Sequence, residues 1–345
     1  MRVLITGHKG YIGSVMAPML VNEGNDVVGL DSDIFEDCAF SNPIVDIPEI
    51  KKDIRDVVLE DLIGFQAVIH LAAISNDPIG NLNPQLTYQI NHLGSVHLAR
   101  LAKQAGVERF LFSSSCSMYG AAGDIPLTEE ADFNPVTPYA HSKVLVERDV
   151  ALMADDGFSP TFLRNATAYG ASPRLRFDLV LNNLVAHAYT TGLVYLMSDG
   201  SPWRPVVHIA DISRAFIAVL KAPRQAVHKQ AFNVGVNSEN YRVRELAEVV
   251  QQVVPDCRIE IAPGAGPDKR NYRVDFSKIE RNLPGFKPFW NAWRGAEELY
   301  SAYRKANLKQ ADFDGPRFKR IDHIKGLLSS GRLGEDLRWP KEILV

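Results

Sequence analysis

Tyr139 and Lys143 stand four residues apart in Thr137-Pro138-Tyr139-Ala140-His141-Ser142-Lys143, which opens with a threonine cap and a proline at the first helical position. Side chains at i and i+4 share a helix face. An ammonium beside a phenol favours phenolate, so the pair predicts a Tyr139 pKa below the usual value of about 10 and a tyrosine able to take and return a proton. Four-residue spacing alone is common; Ser115 makes it informative. The apolar run Arg109-Phe110-Leu111-Phe112 continues through Ser113-Ser114-Ser115. A hydroxyl at such a strand end can hydrogen-bond the oxygen whose proton the tyrosine moves.

These groups need a scaffold, and the first 31 residues supply its pattern. Val3-Leu4-Ile5 reads as a buried strand, Gly7, Gly10 and Gly13 as a tight turn, the segment to Gly24 as a helix, and Asp26–Asp31 as a second strand ending in an acid. This is the dinucleotide-binding βαβ pattern. The turn, with Tyr11 and Ile12, lets backbone and helix start approach a pyrophosphate, and Asp31 can accept hydrogen bonds from the adenosine ribose. A carboxylate there opposes a 2′-phosphate and Ser32 adds no cation, so the expected cofactor is NAD.

Ala67-Val68-Ile69-His70 is a short, continuously apolar strand leading into Leu71-Ala72-Ala73. Leu86–Ala105 has helical spacing and is stopped by Gly106, the helix opening at Pro138 is expected to run to about Gly157, and Thr161-Phe162-Leu163 reads as a strand. The alternation predicts an α/β fold: a Rossmann-type doubly wound parallel sheet with a smaller C-terminal α/β substrate lobe. The expected division is 1–170 for the dinucleotide-binding domain, with sheet elements contributed from later segments, and 171–345 for the substrate lobe and tail. In the latter, Val206–Ile209 and Ala231–Val234 read as strands and Val243–Val253 as a helix. The tail after Asp312 has helix-like Ile321–Leu328 and no recognisable chemistry.

With 345 residues and a formal net charge of −3, nothing in the charge balance points to nucleic acid or an anionic membrane as partner. Cys38, Cys116 and Cys257 form no CxxC pair, so no metal site is expected and a reducing, cytoplasmic setting fits. The first strand starts at once, without a signal-peptide pattern, and no apolar run reaches the ~18 residues of a membrane span.

Taken together, these motifs resemble the extended short-chain dehydrogenase/reductases, specifically the NAD-dependent nucleotide-sugar epimerase/dehydratase family, and UDP-galactose 4-epimerases within it. The similarity runs to about residue 285. It implies that Asp53 and Ile54 hold adenine, that Leu71, Ala72, Ala73 and Ser113 line the cofactor, and that Tyr139 and Lys143 touch both cofactor and sugar. It also implies that Ser115, Cys116, Ser117 and Thr167 face the sugar and that Asn182, Asn183, Arg204 and Arg270 hold the nucleotide diphosphate. Arg273 is a second candidate for a phosphate-binding arginine. The resemblance implies a homodimer through helices around Leu86–Ala105 and Tyr139–Met153.

Departures within the family narrow the reading. 4,6-Dehydratases carry Asp-Glu after the catalytic hydroxyl, where this chain has Cys116-Ser117, so that reaction is disfavoured. GDP-sugar 3,5-epimerases use a cysteine two residues before the strand-end tyrosine; here that place is Ser117. Cys116 either packs, as small thiols ordinarily do, or serves as an acid or base. The expected activity is C4 inversion of a nucleotide sugar through a transient 4-keto sugar. The alternatives are a nucleotide 4-ketosugar reductase and, from another class, a non-catalytic NAD-binding protein. His70 is read as a structural neighbour of the cofactor loop and His208 as bonded within the smaller lobe. Trp203 either stacks on a base or caps an apolar edge, and Lys9 either approaches phosphate or faces solvent.

Overall fold

Strands that are apolar on both sides need cover on both faces, and the main sheet provides it. The computed structural model describes residues 1–40, 43–75, 77–266 and 270–340, with the backbone alone at 122 and 124. Its main sheet contains β1 (Arg2–Thr6), β2 (Asp26–Asp31), β3 (Glu49–Lys51), β4 (Ala67–His70), β5 (Arg109–Ser115), β6 (Ser159–Asn165) and β7 (Gln230–Val234). They are parallel in the order β7-β6-β5-β4-β1-β2-β3, with the order of winding reversing between β1 and β4. Open sheets bind ligands at such a switch point.

Register decides what emerges there. Thr6 is level with Leu30 and His70, and His70 with Phe112, so the next residues, Gly7, Asp31, Leu71 and Ser113, leave the sheet along one edge. Successive residues of β1 point to opposite faces. Val3 and Ile5 join a cluster with Met16 and Leu20 of α1 (Gly13–Asn22), while Leu4 joins one with Leu98 and Ala102 of α2 (Ser95–Gln104) and Val146 and Val150 of α3 (Pro138–Ala151).

The expected helix over 86–105 is present, but its first part runs as a wide π turn over Tyr88–Gly94 before α2. α3 starts where its cap predicts: Thr137 Oγ1 accepts from the Ala140 amide at 3.2 Å. It stops at Ala151, short of Gly157.

The smaller lobe packs α4 (Val180–Thr191), α6 (Val243–Val253) and α7 (Ala292–Lys305) around Leu184, Val185, Leu246, Val250, Leu299 and Tyr303. Beside them lies a three-stranded sheet of Thr167–Tyr169, Trp203–His208 and Asn240–Arg242. Three later segments return to the main sheet. β7 pairs with β6, and α5 (Ile209–Lys221) puts Ile212 and Phe216 into the cluster of Val3 and Ile5. The tail was expected to go with the smaller lobe. Instead, Ile324 and Leu327 of α8 (Arg320–Ser329), together with Leu333 and Leu337, join the cluster of Leu4 and Val68. Apolar spacing in the tail prescribes burial without naming the surface that provides it. Among the described residues, no helix is long and apolar enough to cross a membrane.

Candidate active site

A cleft of about 760 Å³ opens along the carboxyl edge, in the upper part of the roughly 300–1,000 Å³ range of small-molecule sites. The glycine turn forms its floor. Gly7 sits at φ +75°, and a Cβ on it would lie 2.8 Å from the Ala72 amide nitrogen; one on Gly13 would lie 2.2 Å from the Gly7 carbonyl oxygen. The turn is therefore built for close backbone packing, and it brings Tyr11, Ile12 and Gly13 at the start of α1 to the cleft wall. Asp31 closes the far side: its Oδ2 accepts from the Lys9 amide at 3.0 Å and its Oδ1 from the Asp33 amide at 2.9 Å. Burial raises its pKa despite these two amides. Lys9 does not line the cleft and pairs instead with Glu49 at 2.7 Å and Asp33 at 3.2 Å. Asp53, Ile54, Leu71, Ala72, Ala73 and Ser113 also line the cleft. An extended cavity bounded by a glycine cradle, a helix start and a ribose-facing acid fits a dinucleotide.

Ser115, Ser117, Tyr139, Lys143 and Thr167 share the inner wall. Ser115 Oγ donates to Ser117 Oγ at 2.9 Å and accepts from the Ser117 amide at 3.1 Å. Lys143 is buried, with Nζ donating to the Ser113 carbonyl at 2.7 Å and standing 5.6 Å from the Tyr139 ring centre. The expected lowering of the phenol by this lysine does not occur in the unliganded chain. Removal from water dominates both groups. It pushes Tyr139 up to about 12, aided by the Asp77 charge, against the Ser115 hydroxyl and the Arg176 guanidinium. It brings Lys143 down to about 7, with the Glu147 carboxylate opposing.

Arg204, Arg270 and Asn183 form the outer wall. Arg204 Nη1 donates to the carbonyls of Trp203, at 2.8 Å, and Arg270, and Arg270 pairs with Asp77 at 3.1 Å. The carboxylates lining the cleft, among the described residues, are Asp31, Asp53 and Asp178. The first two lie at the ribose and adenine end, and Asp178 is paired with Arg176 at 2.6 Å.

Residues 3–235 match the model of the NAD dependent epimerase/dehydratase family. The chain belongs to that family. A UDP-glucose 4-epimerase of Lactobacillus helveticus is 30% identical over 309 residues, covering 84% of this chain and 92% of its own. UDP-glucuronic acid decarboxylase 1 of Arabidopsis thaliana is 27% identical, covering 91% of this chain and 72% of its own. Among solved structures, MoeE5 in complex with UDP-glucuronic acid and NAD is 27% identical with a TM-score of 0.74, covering 89% of this chain and all of its own. This family member is an enzyme, and its cofactor is NAD.

Within the family frame, several residues expected at the ligands are elsewhere. Asn182 is fully buried: its Oδ1 accepts from the Gly170 amide and its Nδ2 donates to Tyr11 Oη and the Arg176 carbonyl, each at 3.0 Å. It braces the turn, and its neighbour Asn183 reaches the cleft, because consecutive residues of α4 differ by about 100° in direction. Cys116 is likewise fully buried; its Sγ donates to the Arg164 carbonyl at 3.1 Å, and burial raises the thiol well above its ordinary value. It packs rather than facing the sugar. Arg273 and Trp203 stack on each other, centre to guanidinium 4.6 Å, away from the cleft. His70 holds Thr6 and Ser95, each at 2.7 Å, and His208 pairs with Glu298 at 2.8 Å.

Among the cleft residues not anticipated are Arg176, Asp178, Arg320 and Leu337. Arg176 stands close enough to influence Tyr139 and donates Nη1 to Ser75 Oγ at 3.0 Å. The alternation in Arg174-Leu175-Arg176-Phe177-Asp178 could have marked the first pair. Nothing local marks Arg320 or Leu337.

Proposed function

We propose that the protein inverts C4 of a nucleotide-diphosphate sugar through a transient 4-keto sugar. The observation that carries this reading is the convergence of Ser115, Tyr139 and Lys143 on the wall that meets the glycine turn. Bound NAD would supply the hydride acceptor and donor and, when oxidised, a positive charge beside the phenol. In this scheme the Tyr139 oxygen takes the C4 hydroxyl proton as the carbonyl forms and returns it after the ketone has turned its other face. Ser115 hydrogen-bonds the same oxygen, while Lys143 orients the nicotinamide ribose. Arg204 and Arg270, with Asn183, clamp the diphosphate so that the sugar alone rotates.

The distribution of carboxylates supports inversion over dehydration, because among the described residues none of those lining the cleft is placed with Ser115 and Ser117 to work as the acid–base pair that elimination needs. The test is incubation with UDP-, dTDP-, GDP- and CDP-hexoses and UDP-hexuronates, followed by NMR of the sugar. C4 inversion that Tyr139→Phe abolishes supports the reading. Steady NAD(P)H consumption with a 4-keto sugar and no inversion refutes it in favour of a ketoreductase.

The same proposal includes a homodimer through α2 and α3, supported by the exposed Leu93 just before α2 and Leu152 just after α3; light scattering tests it. It also includes a reducing, cytoplasmic setting, supported by the three unpaired cysteines.

A further inference from the structure

The chain after α8 crosses the adenine end of the cleft and is pinned on both sides. Arg55 Nη1 donates to the Asp336 carbonyl at 2.9 Å, Arg338 pairs with Asp56, and the Trp339 indole N–H donates to the Ser32 carbonyl at 2.6 Å. Asp53 and Ile54 adjoin the first two anchors, and Asp31 adjoins the third. Between the anchors, the segment turns on itself through Leu337 N–H to Gly334 O at 2.8 Å and Gly334 N–H to Arg338 O at 2.9 Å.

Leu337 stands at the turn with φ +57°, a left-handed conformation that L residues with a branched side chain rarely adopt. Strain of this kind persists only where surrounding contacts hold it, and it marks ligand clamps. The side chain is buried and lines the cleft. Arg320, at the start of α8, lines it too and is 4% exposed. Its guanidinium lies 4.0 Å over Phe35 beside the Cys38 thiol, and Nη2 donates to the Arg174 carbonyl at 3.1 Å. Nη1 is buried without a hydrogen-bond partner among the described groups, a costly state for a cationic donor unless a ligand completes it.

We propose that Arg320–Trp339 is a cofactor-retaining strap, Leu337 giving apolar surface at the adenine and Arg320 a donor to the dinucleotide. A reaction with no net redox change needs the same dinucleotide through both halves of a turnover, and escape of the reduced form would strand an oxidised sugar. A wall that must unpin before adenosine leaves provides that retention. The need for retention rests on the proposed inversion, whereas the strap itself rests on the cofactor site, and nucleotide release is read without any sugar.

The test uses the full chain loaded with NAD, desalted, and challenged with etheno-adenine NAD, the exchange being followed by fluorescence and the retained nucleotide by chromatography. Truncation after Leu333 and the substitutions Leu337→Gly and Arg320→Gln are each expected to speed NAD release at least tenfold with an unchanged circular dichroism spectrum. Leu337→Gly relieves the backbone while removing the side chain, so it decides the matter if truncation impairs folding. Release within twofold of the parent in Leu337→Gly, or a parent protein that loses its NAD on the first desalting, overturns the strap.

Discussion

Replacing Lys143 by methionine should abolish turnover and make the protein more stable. The amine is displaced from 10.5 to about 7 by burial. At 1.36 kcal/mol per tenfold change in proton affinity, keeping it charged in the fold costs roughly 5 kcal/mol below pH 7. Methionine keeps most of the stem, forfeits the bond to the Ser113 carbonyl, and leaves that acceptor short by roughly 1–3 kcal/mol. The net gain is roughly 2–4 kcal/mol below pH 7.

The sign with pH is fixed by linkage. Between about 7 and 10.5 the unfolded chain binds this proton more readily than the folded one, so the parent gains stability from this group as pH rises. The methionine variant has no such group. Its advantage should therefore be full below pH 7 and fall by roughly 3 kcal/mol at pH 9. Urea denaturation of nucleotide-free protein at pH 6.5 and 9 measures both quantities. A variant less stable than the parent at pH 6.5, or a difference that grows with pH, refutes the argument that burial controls this lysine.

Asp31→Ala should weaken NAD binding by about 10–100-fold, the loss of hydrogen bonds to a charged acceptor, and narrow the preference over NADP; titration calorimetry with both cofactors measures this. Cys116→Ala should leave turnover within twofold and cost about 1 kcal/mol of stability, since the thiol packs behind the wall; assay and denaturation on the same preparation check it. Gly7→Ala must place a Cβ 2.8 Å from a backbone nitrogen at φ +75°, and should lose about 1–3 kcal/mol of stability together with NAD retention, read by thermal melting and nucleotide content.

The parts of the site legible in the sequence are those that local spacing fixes. Gly7, Gly13 and Asp31 belong to one strand–helix–strand unit, and Tyr139 and Lys143 to one helix turn, so geometry follows from spacing once the elements form. Choosing between Asn182 and Asn183, or between Cys116 and Ser117, needs the rotation of each element against its neighbours. The lowered lysine and raised phenol depend on how much water the assembled cleft excludes, which no four-residue pattern records. Arg320 and Leu337 come to the cofactor end from nearly the full length of the chain away, and the spacing that buries α8 is the same whichever surface receives it.

The return of β7 and α8 to a sheet begun at residue 2 also bears on how the molecule acquires its structure. β7 closes the β6 edge, and α8 fills the apolar face behind Leu4 and Val68, so two contacts that complete the sheet span more than sixty and more than three hundred residues. Contacts of such separation form late and slow folding, because closing the chain costs entropy before burial repays it. A fragment ending at residue 170 would carry all the catalytic residues yet leave β6 as an open edge beside an uncovered apolar face, a template for aggregation rather than a working half-enzyme.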